Sequence, residues 1–257
     1  MPTFATSTTS WDDGHPLDLR IADLLAKYDL TGTFYVPFEH SRQVMTPGQI
    51  RQLCGTFELG AHTVHHMVLT KTTKEVAGAE IRDSKRRMED LTGTCCDAFC
   101  FPQGRFGRGH LDMVRQAGYR CARTVELLST RLPAWRAGIH LIPTTVQASP
   151  HSSADYVKNC IKRLAPRNLM HFALYARARD WTATARSLLE LVARQGGVFH
   201  LWGHSWEIEE RQQWPQLESV LREMHQLRSA LLCVTNSRLT KLDAVEATHT
   251  APVRIDT

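Results

Sequence analysis

Apolar and polar positions change period repeatedly along this chain, and the changes divide it into short strands alternating with helices. Residues 3–11 are rich in Thr and Ser and carry a strand pattern. Between residues 17 and 28 the apolar side chains fall at Leu17, Ile21, Leu24, Leu25 and Tyr28, the stripe of a helix lying on a core. Residues 32–37 form the next expected strand, stopped by Pro37, and residues 47–53 a short helix that opens on Pro47. A strand over 58–61, a long charged helix over 73–91 and a strand over 96–101 continue the alternation. The pattern then predicts a helix over 111–117, a strand over 120–124, a helix over 154–164 and a strand over 168–173. A helix over 182–195, a strand over 197–202, a helix over 214–227 and a short apolar run at 231–234 complete it, leaving 127–153 without a readable period. Strands alternating with helices imply a mostly parallel sheet. The 257 residues exceed the common domain size, but α/β barrels of this length fold as one domain. From Lys241 onward Thr, Ala and Asp dominate, so the expected organisation is one domain over 1–240 and a flexible tail over 241–257.

The chemistry-bearing residues gather where strands are expected to end. Ser10-Trp11-Asp12-Asp13-Gly14 closes the first strand, and Gly60-Ala61-His62-Thr63-Val64-His65-His66 closes the third. One carboxylate and two neutral imidazoles hold a divalent ion while leaving a position for water and substrate, the composition of a catalytic rather than a structural site. His62 and His66 stand four apart, a spacing that suits one face of a helical turn or a converging loop. If the strand ran on through Asp12 and Asp13, they would point to opposite sides, one to the ion and the other to substrate. Singly these features are common, since the chain has 13 His and Asp-Asp-Gly is ordinary turn chemistry. Occurring together, they read as a metal site with a spare base.

Trp11-Asp12-Asp13-Gly14 and His62-Thr63-Val64-His65-His66 resemble the T-F-D-D-G and H-[ST]-x-x-H motifs of the polysaccharide deacetylases, the chitooligosaccharide-deacetylase homology group of carbohydrate esterase family 4. Phe99-Cys100-Phe101-Pro102-Gln103-Gly104 resembles the third motif, which ends in P-x-G, and Leu201-Trp202-Gly203-His204 the C-terminal histidine motif. The resemblance spans about residues 5–235 and implies a distorted, incomplete (β/α) barrel of seven strands, with its chemistry at the strand C-termini. It implies Asp13, His62 and His66 as metal ligands, Asp12 as catalytic base, His204 as general acid and the backbone N–H of Gln103 as oxyanion donor. His200, Trp202 and His204 alternate and share one strand face, so His200 and Trp202 are further substrate candidates and His200 is an alternative acid. Trp202 and Trp206 are candidate sugar platforms, Asp180-Trp181 a candidate remnant of the fourth motif, and His65 a bystander between the ligands. Many members hold the catalytic Asp with an Arg in the third motif. Here Cys100 takes that place, so another group must orient Asp12, and Arg105 and Arg108 lie just beyond the motif.

Composition narrows the function. The 31 basic and 26 acidic residues leave a net charge of +5, with cations scattered rather than interleaved with aromatics, so no nucleic-acid partner is implied. A mildly basic surface is compatible with an anionic substrate, such as a sugar linked to phosphate. No apolar run reaches the ~18 residues of a membrane-spanning helix, and no signal-peptide pattern precedes Asp12. Seven Cys without a C-x-x-C pair argue against a disulfide framework or a thiolate zinc site and suit a reducing cytoplasm. The expected partner is therefore an N-acylated amino sugar, most simply a biosynthetic intermediate, and the expected cofactor one divalent ion, zinc by ligand type, with Co2+, Ni2+ or Fe2+ also suited. Two other readings fit the same residues: an allantoinase-like hydrolase of another C–N bond, and a sugar-binding homologue without turnover. The intact Asp12, Asp13, His62 and His66 weigh against the binder, which needs no base beside a metal.

Overall fold

The computed structural model describes residues 4–176 and 180–249. Strand β1 (Ala5–Asp12) lies at the centre of the sheet and is buried from Thr6 onward. Small β-branched and hydroxyl side chains suit that position because Thr8, Thr9 and Ser10 find internal partners. Thr8 donates to the Asn236 side chain at 2.9 Å, and Ser10 meets Nε2 of His200 at 2.8 Å. Helix α1 (Asp18–Lys27) follows, burying Ile21, Ala22 and Leu25 as the apolar stripe predicts. Strand β2 (Thr33–Val36) leads to helix α2 (Pro47–Cys54), whose start is fixed by a capping box between Thr46 and Gln49 and by Pro47. Strand β3 (Glu58–Ala61) precedes helix α3 (Lys74–Thr92), capped by Thr73 and stopped by left-handed Gly93. Strand β4 (Ala98–Cys100), helix α4 (Arg108–Gln116) and strand β5 (Cys121–Arg123) complete a run of five strands that pair in chain order, all parallel.

The stretch without a readable period contains a hairpin, strands β6 (Ala134–Arg136) and β7 (Ile139–Ile142), and the short strand β8 (Val146–Gln147). Strand β7 joins β5 in parallel, and the β6–β7 pair is antiparallel. Helices α5 (Ser153–Lys162), α6 (Pro166–Tyr175) and α7 (Trp181–Gln195) then lead to strand β9 (Gly197–Gly203), which returns to the other side of β1 and also pairs β8. Helices α8 (Ser205–Glu210) and α9 (Trp214–Gln226), strand β10 (Leu232–Cys233) beside the start of β1, and helix α10 (Asn236–His249) close the chain. The sheet order is β6-β7-β5-β4-β3-β2-β1-β9-β8, a curled, incomplete barrel of the expected class. With β10, which pairs β1 off this path, it has ten strands instead of the expected seven.

One expected strand is a helix. Residues 168–173 lie within α6, and the apolar run misleads because its polar members are the buried ones. Asn168 donates to the Leu127 carbonyl and His171 pairs with that of Leu128, both at 2.8 Å, while Met170 and Leu174 face outward. Helix α10 continues past Lys241 to His249, and residues 250–257 lie outside the described residues. No helix among the described residues is long and apolar enough to cross a membrane.

Candidate metal and catalytic site

The end of β1 sets the geometry. The strand stops at Asp12, and Asp13 and Gly14 both take left-handed backbone conformations, φ 76° and 60°. A Cβ on Gly14 would lie 2.7 Å from Val36 Cγ1, so this turn requires glycine. The turn also changes the expected arrangement. Asp12 and Asp13 do not face opposite sides; their Oδ2 atoms stand 4.0 and 3.9 Å from the same atom, His204 Nε2.

Asp13 Oδ1 faces His62 Nε2 at 3.5 Å and His66 Nε2 at 3.3 Å, is buried, and has no hydrogen-bond partner. The two imidazoles hang from the loop after β3, where Thr63 and His66 are also left-handed. Such sparsely populated conformations persist where surrounding contacts over-determine them. Glu80 of α3 supplies those contacts: one carboxylate oxygen accepts from the backbone N–H of Val64 and His65, and the other holds the His65 ring at 2.5 Å. His65 is thus part of the loop's brace. His62 Nδ1 donates to the Cys100 carbonyl at 2.8 Å, which fixes the tautomer and leaves Nε2 free to bind an ion. His40 also enters this cluster. Its Nδ1 accepts from the Arg42 N–H, so the neutral ring carries its proton on Nε2 and has no lone pair to offer there. Cys100 and Asp12 likewise approach His62, but burial pushes the Cys100 thiol up, away from thiolate, and Asp12 is otherwise engaged. Asp13, His62 and His66 could therefore hold one divalent ion: a buried oxygen without a partner faces two imidazole nitrogens, and the ion would sit at the point between them. Trp206 Nε1 donates to Asp13 Oδ2 at 2.9 Å and turns Oδ1 toward that point.

Asp12 Oδ2 is paired with the Arg123 guanidinium, which is completely buried, and Asp12 Oδ1 is buried without a partner. Burial alone would raise the Asp12 pKa, but Arg123, His62 and His204, with the Arg123 charge the largest of these, together hold the carboxyl below its ordinary value. Arg123 lies over the Trp202 ring at 4.5 Å and stays charged. Its place follows from register: Arg123 on β5 is the direct partner of Cys100 on β4. Paired residues on adjacent strands point to the same face about 4.8 Å apart, so a long side chain one strand over reaches the carboxylate that Cys100 cannot. Cys100 Sγ stops 3.9 Å from Asp12 Oδ2.

His204 follows β9 and begins α8. Its Nδ1 lies 3.3 Å from Glu207, whose carboxylate also takes Ser149 at 2.7 Å and Gln147 at 3.0 Å. Burial opposes charge on His204, but Glu207, Asp12 and Asp13 together raise its pKa. His200 shares the strand face as expected yet lies two residues, about 7 Å, deeper. It is fully buried, bonded to Ser10 and to the Pro143 carbonyl, and burial drives its pKa down to about 3. It is not among the residues that line the cavity. The cavity of about 470 Å³ is lined by Asp12, Asp13, His62, His66, Gln103, Trp202 and His204. The Trp202 indole N–H is buried and unpaired.

Residues 4–122 match the sequence model of the polysaccharide deacetylase family. The resemblance to the polysaccharide deacetylases holds. The fold is shared over nearly the whole chain with a candidate polysaccharide deacetylase from Mycobacterium smegmatis, at 14% identity, covering 100% of this chain and 96% of that one, with a TM-score of 0.65. It is also shared with the peptidoglycan deacetylase PdaC from Bacillus subtilis, at 17% identity, 97% and 96% coverage and a TM-score of 0.58. The Xyl-CE4 domain of a multidomain xylanase from the hindgut metagenome of Trinervitermes trinervoides matches at 13% identity, 94% and 92% coverage and a TM-score of 0.54. At these identities the likeness is one of fold. No curated protein matches the chain.

Against the deacetylase pattern, the first three motifs and the C-terminal histidine motif meet at one cavity. Gln103 sits in the turn of its motif with φ 56°, and a Cβ on the following Gly104 would lie 2.2 Å from Val125 Cγ2. Three expectations fail, those for Arg105 and Arg108, for Asp180-Trp181 and for His200. Arg105 and Arg108 are exposed and do not hold Asp12. Asp180 caps α7 and Trp181 packs beneath it, bonded to Gln213, so the pair is structural. Trp206 does line the cavity, with the Arg42 guanidinium 3.6 Å from its ring on one face. His200 is an interior residue. Glu80, Arg123 and Glu207 went unnoticed in the sequence, where only the i, i+3 spacing of Glu207 to His204 offered a local signal.

Proposed function

We propose that this protein is a metal-dependent N-deacetylase acting on an N-acetylated amino sugar. The observation that carries the reading is the division of one carboxylate pair: Asp13 Oδ1 faces two imidazole nitrogens, while Asp12, tied through Oδ2 to Arg123, keeps a free buried Oδ1 on the same cavity. Asp13, His62 and His66 would hold the ion, zinc by ligand type, which when bound supplies a low-pKa water and polarises the acyl oxygen.

The remaining work falls to this chain's own groups. Asp12 Oδ1 accepts the proton of the attacking water, and Arg123 keeps Asp12 ionised for that purpose. The Gln103 backbone N–H faces the developing oxyanion. His204, protonated on Nε2 with Glu207 behind Nδ1, donates to the departing amine as the amide bond breaks. Acetate and a free amino sugar are the products. The Trp202 N–H is the donor available to a sugar hydroxyl. A cytoplasmic location is supported by seven free cysteines.

The test is metal analysis of the purified protein together with acetate release from N-acetylglucosamine oligomers, before and after chelation. One equivalent of divalent ion and chelator-sensitive acetate release are expected. A protein that binds no divalent ion, or releases acetate equally well after chelation, overturns the reading.

A further inference from the structure

A second cavity, about 710 Å³, adjoins the proposed active site and is lined by five cations, Arg108, Arg131, Arg136, Lys162 and Arg163, against one carboxylate, Glu126. Glu126 is already committed to Arg131 and to the Asn168 amide. Arg108, Arg136 and Lys162 are exposed and make no ion pair among the described residues. Arg163 donates from Nη2 to the Gly104 carbonyl at 3.2 Å, and its Nε is buried without a partner. Like charges gathered around a hollow raise the local positive potential and favour an anion there.

The two cavities share a thin wall. Along residues 124–127 the side chains alternate: Thr124 and Glu126 line the cationic cleft, Val125 and Leu127 the metal site. On α5, Asn159 lines the metal site and Lys162 and Arg163, one turn on, line the cleft. Phe106 on the cleft side stacks on Phe101 on the site side at 4.4 Å.

We propose that this cleft binds a mono- or diphosphate group, on the far side of that wall from the metal site and independently of the deacetylase reading. Arg forks match the several oxygens of a phosphate, and this many cations exceeds what a single carboxylate needs.

Calorimetric titration with inorganic pyrophosphate at low salt tests the cleft. Saturable binding is expected, weakened at least tenfold in the double variant Arg136→Ala/Lys162→Ala, whose exposed positions leave the fold and the metal content intact. Absence of saturable binding, or equal affinity in the variant, overturns the cleft.

Discussion

Asp12 and Asp13 are adjacent carboxylates with different neighbours, and the neighbours decide what each can do. Arg123 is the deciding one for Asp12. Replacing it with Met removes the partner of a buried charge, a change that costs about 3–5 kcal/mol in stability where the pair is fully buried. It also raises the Asp12 pKa, because burial then meets only the weaker opposition of His62 and His204. Arg123→Met should therefore lower kcat by roughly 10²-fold or more with metal content unchanged, as measured by steady-state kinetics beside elemental analysis. Arg123→Lys, which retains the charge but not the fork, should recover part of the loss. Glu207 acts on the other proton. It helps raise the His204 pKa, and an acid must be protonated to work, so it extends activity toward higher pH. Glu207→Gln should move the alkaline limb of the kcat/KM profile to lower pH; an unmoved limb would separate Glu207 from the acid.

At the scale of elements, the strand ends bring the motifs together and neighbouring elements brace them. The loop after β3 is held from α3 by Glu80 through two backbone N–H groups and the His65 ring. Glu80→Ala should weaken metal binding on the order of tenfold, read by competition with a chromophoric chelator, since supporting contacts tune metal affinity by such factors. This scale also shows what was legible in the sequence. Strands β1, β2, β3 and β9 and the helices with a clear apolar stripe were readable, because their period is a local property. The role of Arg123 was not: it depends on the register Cys100↔Arg123 between β4 and β5, which no spacing along the chain records. The left-handed turn at Asp13, which sends both carboxylates to one side, was hidden for a similar reason, since Asp tolerates that conformation without requiring it. Helix α6 was misread because its buried face is polar, anchored by Asn168 and His171, and Pro166 at its start was the better signal.

Across the whole molecule, the barrel interior is polar at its upper layers, and that carries a consequence for stability. His200 is neutral when folded, with a pKa of about 3 against an ordinary 6.5. Between those values the unfolded chain binds a proton that the folded chain does not, so stability falls as pH drops below about 6.5, by up to about 1.4 kcal/mol per pH unit from this group. Urea unfolding at pH 4.5 and 7.5 should show a smaller pH difference for His200→Gln than for the native protein. The same layer joins Ser10, His200, Arg123 and Asp12 beneath the cavity, so the pair that orients the base is built into the core.

The account depends most on the free Oδ1 of Asp12. Asp12→Asn keeps the shape of that side chain and leaves Asp13, His62 and His66 in place, but cannot accept a proton from water. Measured as acetate release per bound metal ion on an N-acetylglucosamine substrate, the variant should bind a full equivalent of metal and lose about 10²–10⁴-fold in kcat. Turnover within a few-fold of the native protein, at full metal occupancy, would contradict the assignment of Asp12 as the base and with it the proposed mechanism.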